Sequence, residues 1–290
     1  MAPEKHEFRW GVERRLEFIE FRLFWEGGVN RSDLIEEFGV SVPQASKDLA
    51  LYQEHAPQNI EYDKSLKRYF ASESFRPAFI ELDAESYLDR LTMSPATACE
   101  TSCNPARYLR ADRLPIPQRK IAPEILRSML VCVRESSSIE ILYQSMSATR
   151  PNPLWRRVSP HAFASDGLRW HVRAFCHIDN KYKDFILSRC MGTRSSKAEG
   201  ESPGNDVFWE SLFSVCLGPN PRLSTGQQSI IVEDFGMNDG ESVVPVRKAL
   251  LYYFSKRLRL DVAEQDDPRE APVVIKNRID FDAALAEAMR

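Results

Sequence analysis

The stretch NRSDLIEEFGVSVPQASKDLALY, residues 30–52, holds two short helical patterns separated by only about three residues. From Arg31 to Phe38, Leu34, Ile35 and Phe38 form one apolar side, and Gly39 closes the pattern as a residue able to take a left-handed C-terminal turn. Ser41-Val42-Pro43-Gln44 then fits the S-x-x-Q capping box, so a second helix opens immediately. Ala45, Leu49 and Tyr52 face inward on it, while Gln44, Ser46 and Lys47 face outward near its start. Two short helices joined by a tight glycine-containing turn, the second headed by small polar side chains, describe a helix-turn-helix.

The flanks extend that reading. Upstream, residues 8–26 place Leu16, Ile19, Leu23 and Phe24 at spacings of three and four, with Glu13, Arg14, Glu17 and Glu20 on a charged outer face, and Gly27-Gly28 stops the helix. Downstream, Ile60 to Phe70 alternates apolar residues around a polar centre, as a β-hairpin does. Lys64, Lys67 and Arg68 stand there against Asp63 alone, a local charge of +2. Helix-turn-helix plus cationic hairpin is a winged helix. Its expected partner is double-stranded DNA: Ser41, Gln44, Ser46 and Lys47 are short donors and acceptors suited to base edges and phosphates, and Lys64, Lys67 and Arg68 suit the backbone. Asp48, on the same helix, is poorly placed near phosphate. The alternatives are a helical domain whose hairpin merely covers its core, or a winged helix that binds protein.

Beyond the hairpin, Pro95, Pro105, Pro115, Pro117 and Pro123 break a mostly helical connector, and Arg107, Arg110 and Arg113 read as a solvated face. From Ser138 the periodicity becomes strand-like, with candidates at 139–143, 156–163, 168–176 and 184–189 and a strong hairpin turn at Asp166-Gly167. Such strands with tight turns suggest a small sheet or barrel. Residues 143–173 carry five arginines (150, 156, 157, 169 and 173) against Asp166, a local charge of +4. Arg169, His171 and Arg173 alternate along one strand and so leave one face, which suits a phosphate or carboxylate unless it is simply solvated. Residues 192–206, small and polar, read as a linker. After it come strands at 212–217, 229–235 and 273–275, a helix at 246–260 and a terminal helix from Asp280, an α+β module with no glycine-rich phosphate loop and no catalytic cluster.

Composition is that of a soluble globular chain, 43% hydrophobic and 28% charged, with a net charge of −3. No run approaches the ~18–20 apolar residues of a spanning helix, and the start is polar, so no membrane partner and a cytoplasmic address are expected. The six cysteines read as buried thiols. Cys99 and Cys103 have helical spacing but no second ligand pair, so neither a structural metal nor a cofactor is expected.

With these pieces in order, the chain resembles the WYL-domain transcriptional regulators, and more closely the BrxR/CapW group found beside anti-phage systems such as BREX. The resemblance covers essentially the whole chain and rests on residues 30–52, on RRVSPHAF (156–163), GLRWHVRAFC (167–176) and KDFILSRC (183–190), and on the terminal strand-helix module. The family's Trp-Tyr-Leu tripeptide reads Trp170-His171-Val172 here, and Trp170, Val172 and Ala174 can still face the core together. The resemblance implies a Sm/SH3-like WYL β-barrel whose basic face, Ser159, His161, His171, Arg173 and Arg189 by matching motif, binds a nucleotide or nucleic-acid effector. It also implies a C-terminal module that dimerises, an inverted-repeat operator and repression of a phage-defence operon. The expected architecture is α+β multidomain: a winged helix-turn-helix over 1–76, a connector over 77–125, a WYL domain over 126–195, a linker over 196–206 and a dimerisation domain over 207–290. An enzyme is not expected. The rival reading, a nucleotide-processing enzyme, has only His161, His171, Asp166 and Asp184 to offer, without paired acids at metal spacing, a P-loop or G-x-S-x-G.

Overall fold

Leu16, Ile19 and Leu23 recur at helical spacing on α1 (Trp10–Trp25) and lie buried, which fixes the face that α1 turns to its neighbours. A computed structural model describes residues 8–93, 111–112, 114–197 and 204–289 of the chain, which divides into two units, Met1–Pro115 and Ile116–Arg290. In the first unit α2 (Arg31–Phe38) and α3 (Val42–His55) follow α1, and a hairpin of β1 (Ile60–Asp63) and β2 (Arg68–Ala71) completes the winged helix. Gly39 ends α2 in the left-handed region, at φ +63°, and Ser41 caps α3. Gly28, at φ +130°, lets the Val29–Tyr69 bridge close, because a Cβ there would meet the Tyr69 carbonyl oxygen at 2.5 Å.

Three details differ from the sequence reading. The box at Ser41 is half formed: its Oγ accepts from the Gln44 amide N–H, but the Gln44 side chain turns to Asp48. A complete box sits instead at Asn30 and Asp33. Phe24 is exposed and packs edge-on to Trp25, whose ring stacks on Tyr87 of α4 (Ala84–Met93). Glu20, assigned to the outer face, is 0% exposed, because its carboxylate accepts the backbone N–H groups of Ala78, Phe79 and Ile80 and the Tyr52 hydroxyl. Helical periodicity marks a side as inward for apolar residues; it does not foresee a carboxylate drawn inward by orphan amides.

The second unit opens with α5 (Pro123–Arg134), whose Ile125, Met129 and Cys132 cover a five-stranded antiparallel sheet. Its strands are β3 (Ser138–Tyr143), β4 (Leu154–Ser165), β5 (Trp170–Cys176), β6 (Lys181–Ile186) and β7 (Cys190–Lys197), in the order β6-β5-β4-β3-β7, with bulges in β4 and along the β3–β7 ladder. Residues 192–197, read as linker, are therefore strand: polar side chains are tolerated on an edge, and pairing with β3 satisfies the backbone. The expected linker start at 196 falls inside β7, and residues 198–203 lie outside the described residues. Val172 and Ala174 point into the core as foreseen, joined by Cys176, but Trp170 is 53% exposed, at the strand end where its partner is Ser165, beyond the core.

A short helix α6 (Val207–Glu210) leads into a three-stranded sheet, β10 (Val273–Ile275), β8 (Leu212–Pro219) and β9 (Ser242–Arg247), with α7 (Thr225–Asp234), α8 (Leu251–Arg257) and α9 (Arg278–Met289). Residues 229–235 are helix, not strand: Ser224 and Gln227 form a reciprocal capping box that outweighs the β-branched run Ile230-Ile231-Val232. Val246 and Arg247 end β9, so the predicted helix begins only at Leu251. Cys132, Cys176 and Cys190 are buried free thiols and Cys216 is half-buried; Cys99 and Cys103, like Pro95, Pro105, Arg107, Arg110 and Arg113, lie outside the described residues. Among the described residues no helix is long and apolar enough to cross a membrane.

Candidate nucleic-acid interface and ligand face

Charge pairing separates two kinds of cation in the first unit. Arg15 on α1 bonds Asp48 of α3, Nε to Oδ2 at 2.7 Å and Nη2 to Oδ1 at 3.2 Å, so the acid that looked unsuited to phosphate is turned inward and neutralised. Arg22 lies against Glu26 and Asp33. Arg68, assigned to the DNA backbone, is also internal: its Nη2 donates to the Gly28 carbonyl at 2.6 Å and lies 3.5 Å from Asp33. It fastens the wing to the start of α2, because Gly28 brings that carbonyl within reach. Lys47 on α3 and Lys64 and Lys67 between the wing strands are exposed and have no ion pair among the described residues. Of the small polar residues, Ser41 is exposed at the helix head, whereas Ser46 is half-buried with its hydroxyl donating to the Val42 carbonyl at 3.0 Å. Gln44 is half-buried and donates to Asp48 at 2.9 Å, which leaves its amide oxygen as the end with no partner among the described residues.

In the second unit each of the five arginines counted as +4 meets a carboxylate. Arg150 bonds Asp179 at 2.7 Å, and buried Arg156 lies over the Tyr143 and Phe185 rings, 3.5 Å from that same Asp179. Arg157 is 3.9 Å from Glu140, and Arg169 bonds Asp166 at 2.8 Å. Arg173 is 5% exposed and held twice, by Asp206 (Nε at 2.6 Å, Nη2 at 3.2 Å) and by Asp184 (Nη1 at 3.3 Å). The expected free basic face is thus internally neutralised. Counting charge only as far as residue 173 left out Asp179, Asp184 and Asp206, two of them on the neighbouring strand or its turn and one beyond β7.

The five matched ligand residues do not form one group. His161 and Arg173 meet at Asp206, with His161 Nε2 3.2 Å from its Oδ2. Burial would raise the Asp206 pKa, but the hydrogen bonds from His161 and Arg173 bring it down to about 2. His171 lies one alternation along β5, 1% exposed, with Nε2 3.3 Å from Asp166 and its ring 4.5 Å from that of Tyr253 on α8. Burial lowers the His171 pKa against the opposing effect of Asp166, whose own pKa falls to about 2 once its hydrogen bonds outweigh its burial. Near neutrality, then, the carboxylate is ionised and the imidazole neutral, so Nε2 carries the proton and Nδ1, which has no partner among the described residues, is an acceptor. Ser159 pairs instead with His177, Oγ to Nε2 at 2.9 Å. Arg189, in the 3-10 turn Leu187–Arg189, is half-buried beside the Tyr143 hydroxyl.

Two cavities flank Tyr253, whose hydroxyl donates to Asp184 at 3.1 Å. One, of about 270 Å³, lies over His171 and Asp166 and is walled by Leu250, Phe254 and Leu258. The other, of about 650 Å³, lies over Arg173 between β6 and the terminal helices. Neither is lined by Ser159 or Arg189. The residues missed from sequence, Asp206 and Tyr253, come from segments read as linker and as core.

Comparison with known proteins agrees with this division. Residues 11–93 match the BrxR transcriptional regulator winged helix-turn-helix domain, 124–192 the WYL domain, and 212–281 the BrxR transcriptional regulator C-terminal dimerization domain. Fold and matched domains define a winged-helix transcription regulator that carries a WYL domain. The chain is 36% identical over 284 residues to a DNA-binding transcriptional repressor CapW of Escherichia coli (strain KTE188), covering 96% of this chain and 93% of that one. It is 38% identical over 273 residues to the CapW repressor of Pseudomonas aeruginosa, covering 93% and 90%, and 36% identical over 272 residues to that of Stenotrophomonas maltophilia, also covering 93% and 90%. The chain belongs to the CapW family of DNA-binding transcriptional repressors. The solved Proteasome accessory factor B/C (PafBC) of Arthrobacter aurescens aligns over 99% of this chain and 52% of its own, at 16% identity and a TM-score of 0.26, too low to bear on the fold.

Proposed function

We propose that the chain is a homodimeric repressor that binds an inverted-repeat operator through its winged helices, and that an anionic effector, a nucleotide or nucleic acid, acts through the β5 face to release it. A phage-defence operon is the target that the family resemblance implies. The observation that carries the DNA half is the contrast between internally paired arginines and open lysines. Arg15, Arg22 and Arg68 are matched by carboxylates of their own unit, while Lys47, Lys64 and Lys67 stand exposed on the helix and wing that such folds present to a duplex. Ser41 and the Gln44 amide oxygen at the head of α3 supply short polar groups for base edges.

The effector half rests on Arg173 and His161, the two cationic or ionisable groups of the matched set that converge on one anion position. A signal there acts by binding one arrangement of the dimer more tightly than another. A gel-shift titration against the DNA upstream of the gene, at two salt concentrations, tests the DNA half. Tight, sequence-dependent binding that weakens with salt is expected. Indifference to every duplex of the locus overturns the proposal.

A further inference from the structure

The guanidinium on which the effector reading depends already holds an anion. Asp206 occupies two of its nitrogens and the imidazole of His161 as well, in the geometry a phosphate or carboxylate ligand would adopt. The other partner, Asp184, is fixed: it lies within the β5–β6 ladder opposite Arg173 and takes the Tyr253 hydroxyl. Asp206 belongs to no strand. It stands just ahead of the four-residue helix α6 and accepts the Trp209 amide N–H. It can therefore leave without breaking a sheet.

The space beside it is of ligand size. The 650 Å³ cavity falls in the roughly 300–1,000 Å³ range of small-molecule sites. Its walls come from two modules. Arg173, Lys183 and Tyr182 belong to the five-stranded sheet, and Lys248, Tyr252 and Phe208 to the C-terminal part. The aromatic rings among them suit an anion joined to a flat ring, since rings stack on tyrosine and phenylalanine while Arg173 takes the charge. Lys183 and Lys248 at the margin are paired with Asp179 at 2.9 Å and Glu287 at 3.2 Å, and exchange of those carboxylates would let them add to it.

We propose that this cavity is a composite site for a 5′-nucleotide-like anion, and that Asp206 is the resident anion that such a ligand displaces from Arg173. The proposal rests on the effector reading above and gives it a route. Displaced, Asp206 no longer bonds the Trp209 amide at the start of α6. The Trp209 carbonyl accepts from Arg247, whose guanidinium also lies 4.8 Å from the Trp209 ring centroid. Arg247 ends β9, in the segment matched to the dimerization domain. Ligand at Arg173 is thereby felt in the module that sets the geometry of the dimer.

The test uses the full-length protein, with adenosine 5′-monophosphate and inorganic phosphate as probes and adenosine as the probe without the anion, read by calorimetry. Asp206→Asn keeps the size of the side chain and removes its charge, and is expected to bind adenosine 5′-monophosphate at least 10-fold more tightly than the parent while adenosine affinity stays the same. Asp206→Glu restores the competing carboxylate and is expected to reverse that gain. In the Asp206→Asn background, Lys248→Ala and Tyr252→Ala are expected to weaken the nucleotide several-fold, with thermal melts confirming that each variant is folded. If Arg173→Gln abolishes nucleotide binding while Asp206→Asn leaves it at the parent's level, displacement is wrong and the effector reading stands. If Arg173→Gln binds as the parent does, or neither phosphate nor nucleotide binds any variant, the effector reading falls too.

Discussion

Replacing Lys64 and Lys67 together with alanine removes the two open cations of the wing and leaves its fold alone, because both are exposed and neither takes part in an ion pair among the described residues. With one phosphate per open lysine, a dimer neutralises six through Lys47, Lys64 and Lys67. Counterion release then gives a slope of log K against log salt of about −5.4, or roughly 2,000-fold weaker binding between 50 and 200 mM salt. The wing variant keeps two contacts per dimer, so its slope falls to about −1.8 and the same salt change costs roughly 12-fold. Fluorescence anisotropy on a labelled operator fragment at four or five salt concentrations measures both slopes. A variant slope within about one unit of the parent's would refute the assignment of these lysines to phosphate. Arg68→Ala is the informative control. Its guanidinium holds Gly28 and Asp33, so it should lower the thermal midpoint as well as affinity, whereas the lysine variant should melt as the parent does.

Glu20→Ala strands the amides of Ala78, Phe79 and Ile80 and the Tyr52 hydroxyl; at roughly 1–3 kcal/mol for each buried orphan, a loss on the order of 4 kcal/mol is expected in urea unfolding, and a change below about 1 kcal/mol would contradict the contact. Gly28→Ala should destabilise the first unit far more than Gly39→Ala, since both sit at positive φ but only the former drives a Cβ onto a backbone oxygen; equal melting shifts would count against the close approach. Asp166 and Asp206 are held below their ordinary pKa of 3.8, to about 2, so their contribution to stability is complete above pH 3.8 and lost as pH falls toward 2. Asp166→Asn should therefore differ from the parent at pH 6 and converge on it near pH 2, as followed by acid titration of the tryptophan signal, and a constant difference across that window would rule the linkage out.

Much of the architecture was legible because local signals and tertiary packing agreed. Gly39, Ser41 and the spacing of Ala45, Leu49 and Tyr52 each act within one turn of helix, and all three inward residues are buried. The Asp166-Gly167 turn and the alternation of Val172, Ala174 and Cys176 are equally local. The failures occurred where something outside the run itself decided the outcome. The run Ile230-Ile231-Val232 has strand character, yet a capping box six residues earlier commits it to helix. Residues 192–197 have linker composition, yet β3 offers them a ladder. Polar edge strands carry no apolar alternation, so nothing in their own sequence distinguishes them from a loop.

The candidate sites were less legible, and the reason is electrostatic. A linear count sees cations but not the carboxylates that fold onto them. It gave residues 143–173 a charge of +4, and there every arginine proves to be matched. It gave the wing only +2, and there two of three cations prove to be open. Burial makes that difference inevitable. A guanidinium as enclosed as Arg173 requires its countercharge within the protein, because leaving it unpaired costs several kcal/mol, whereas an exposed lysine is balanced by mobile ions that a phosphate can replace. On the proposed reading the two surfaces would therefore recognise anions on different terms. DNA at the wing displaces solvent counterions and is expected to show strong salt dependence. Under the proposed effector reading, a ligand at Arg173 has to displace a carboxylate of the chain itself, so its binding would move protein, which is the property such a reading requires of a site that releases a repressor.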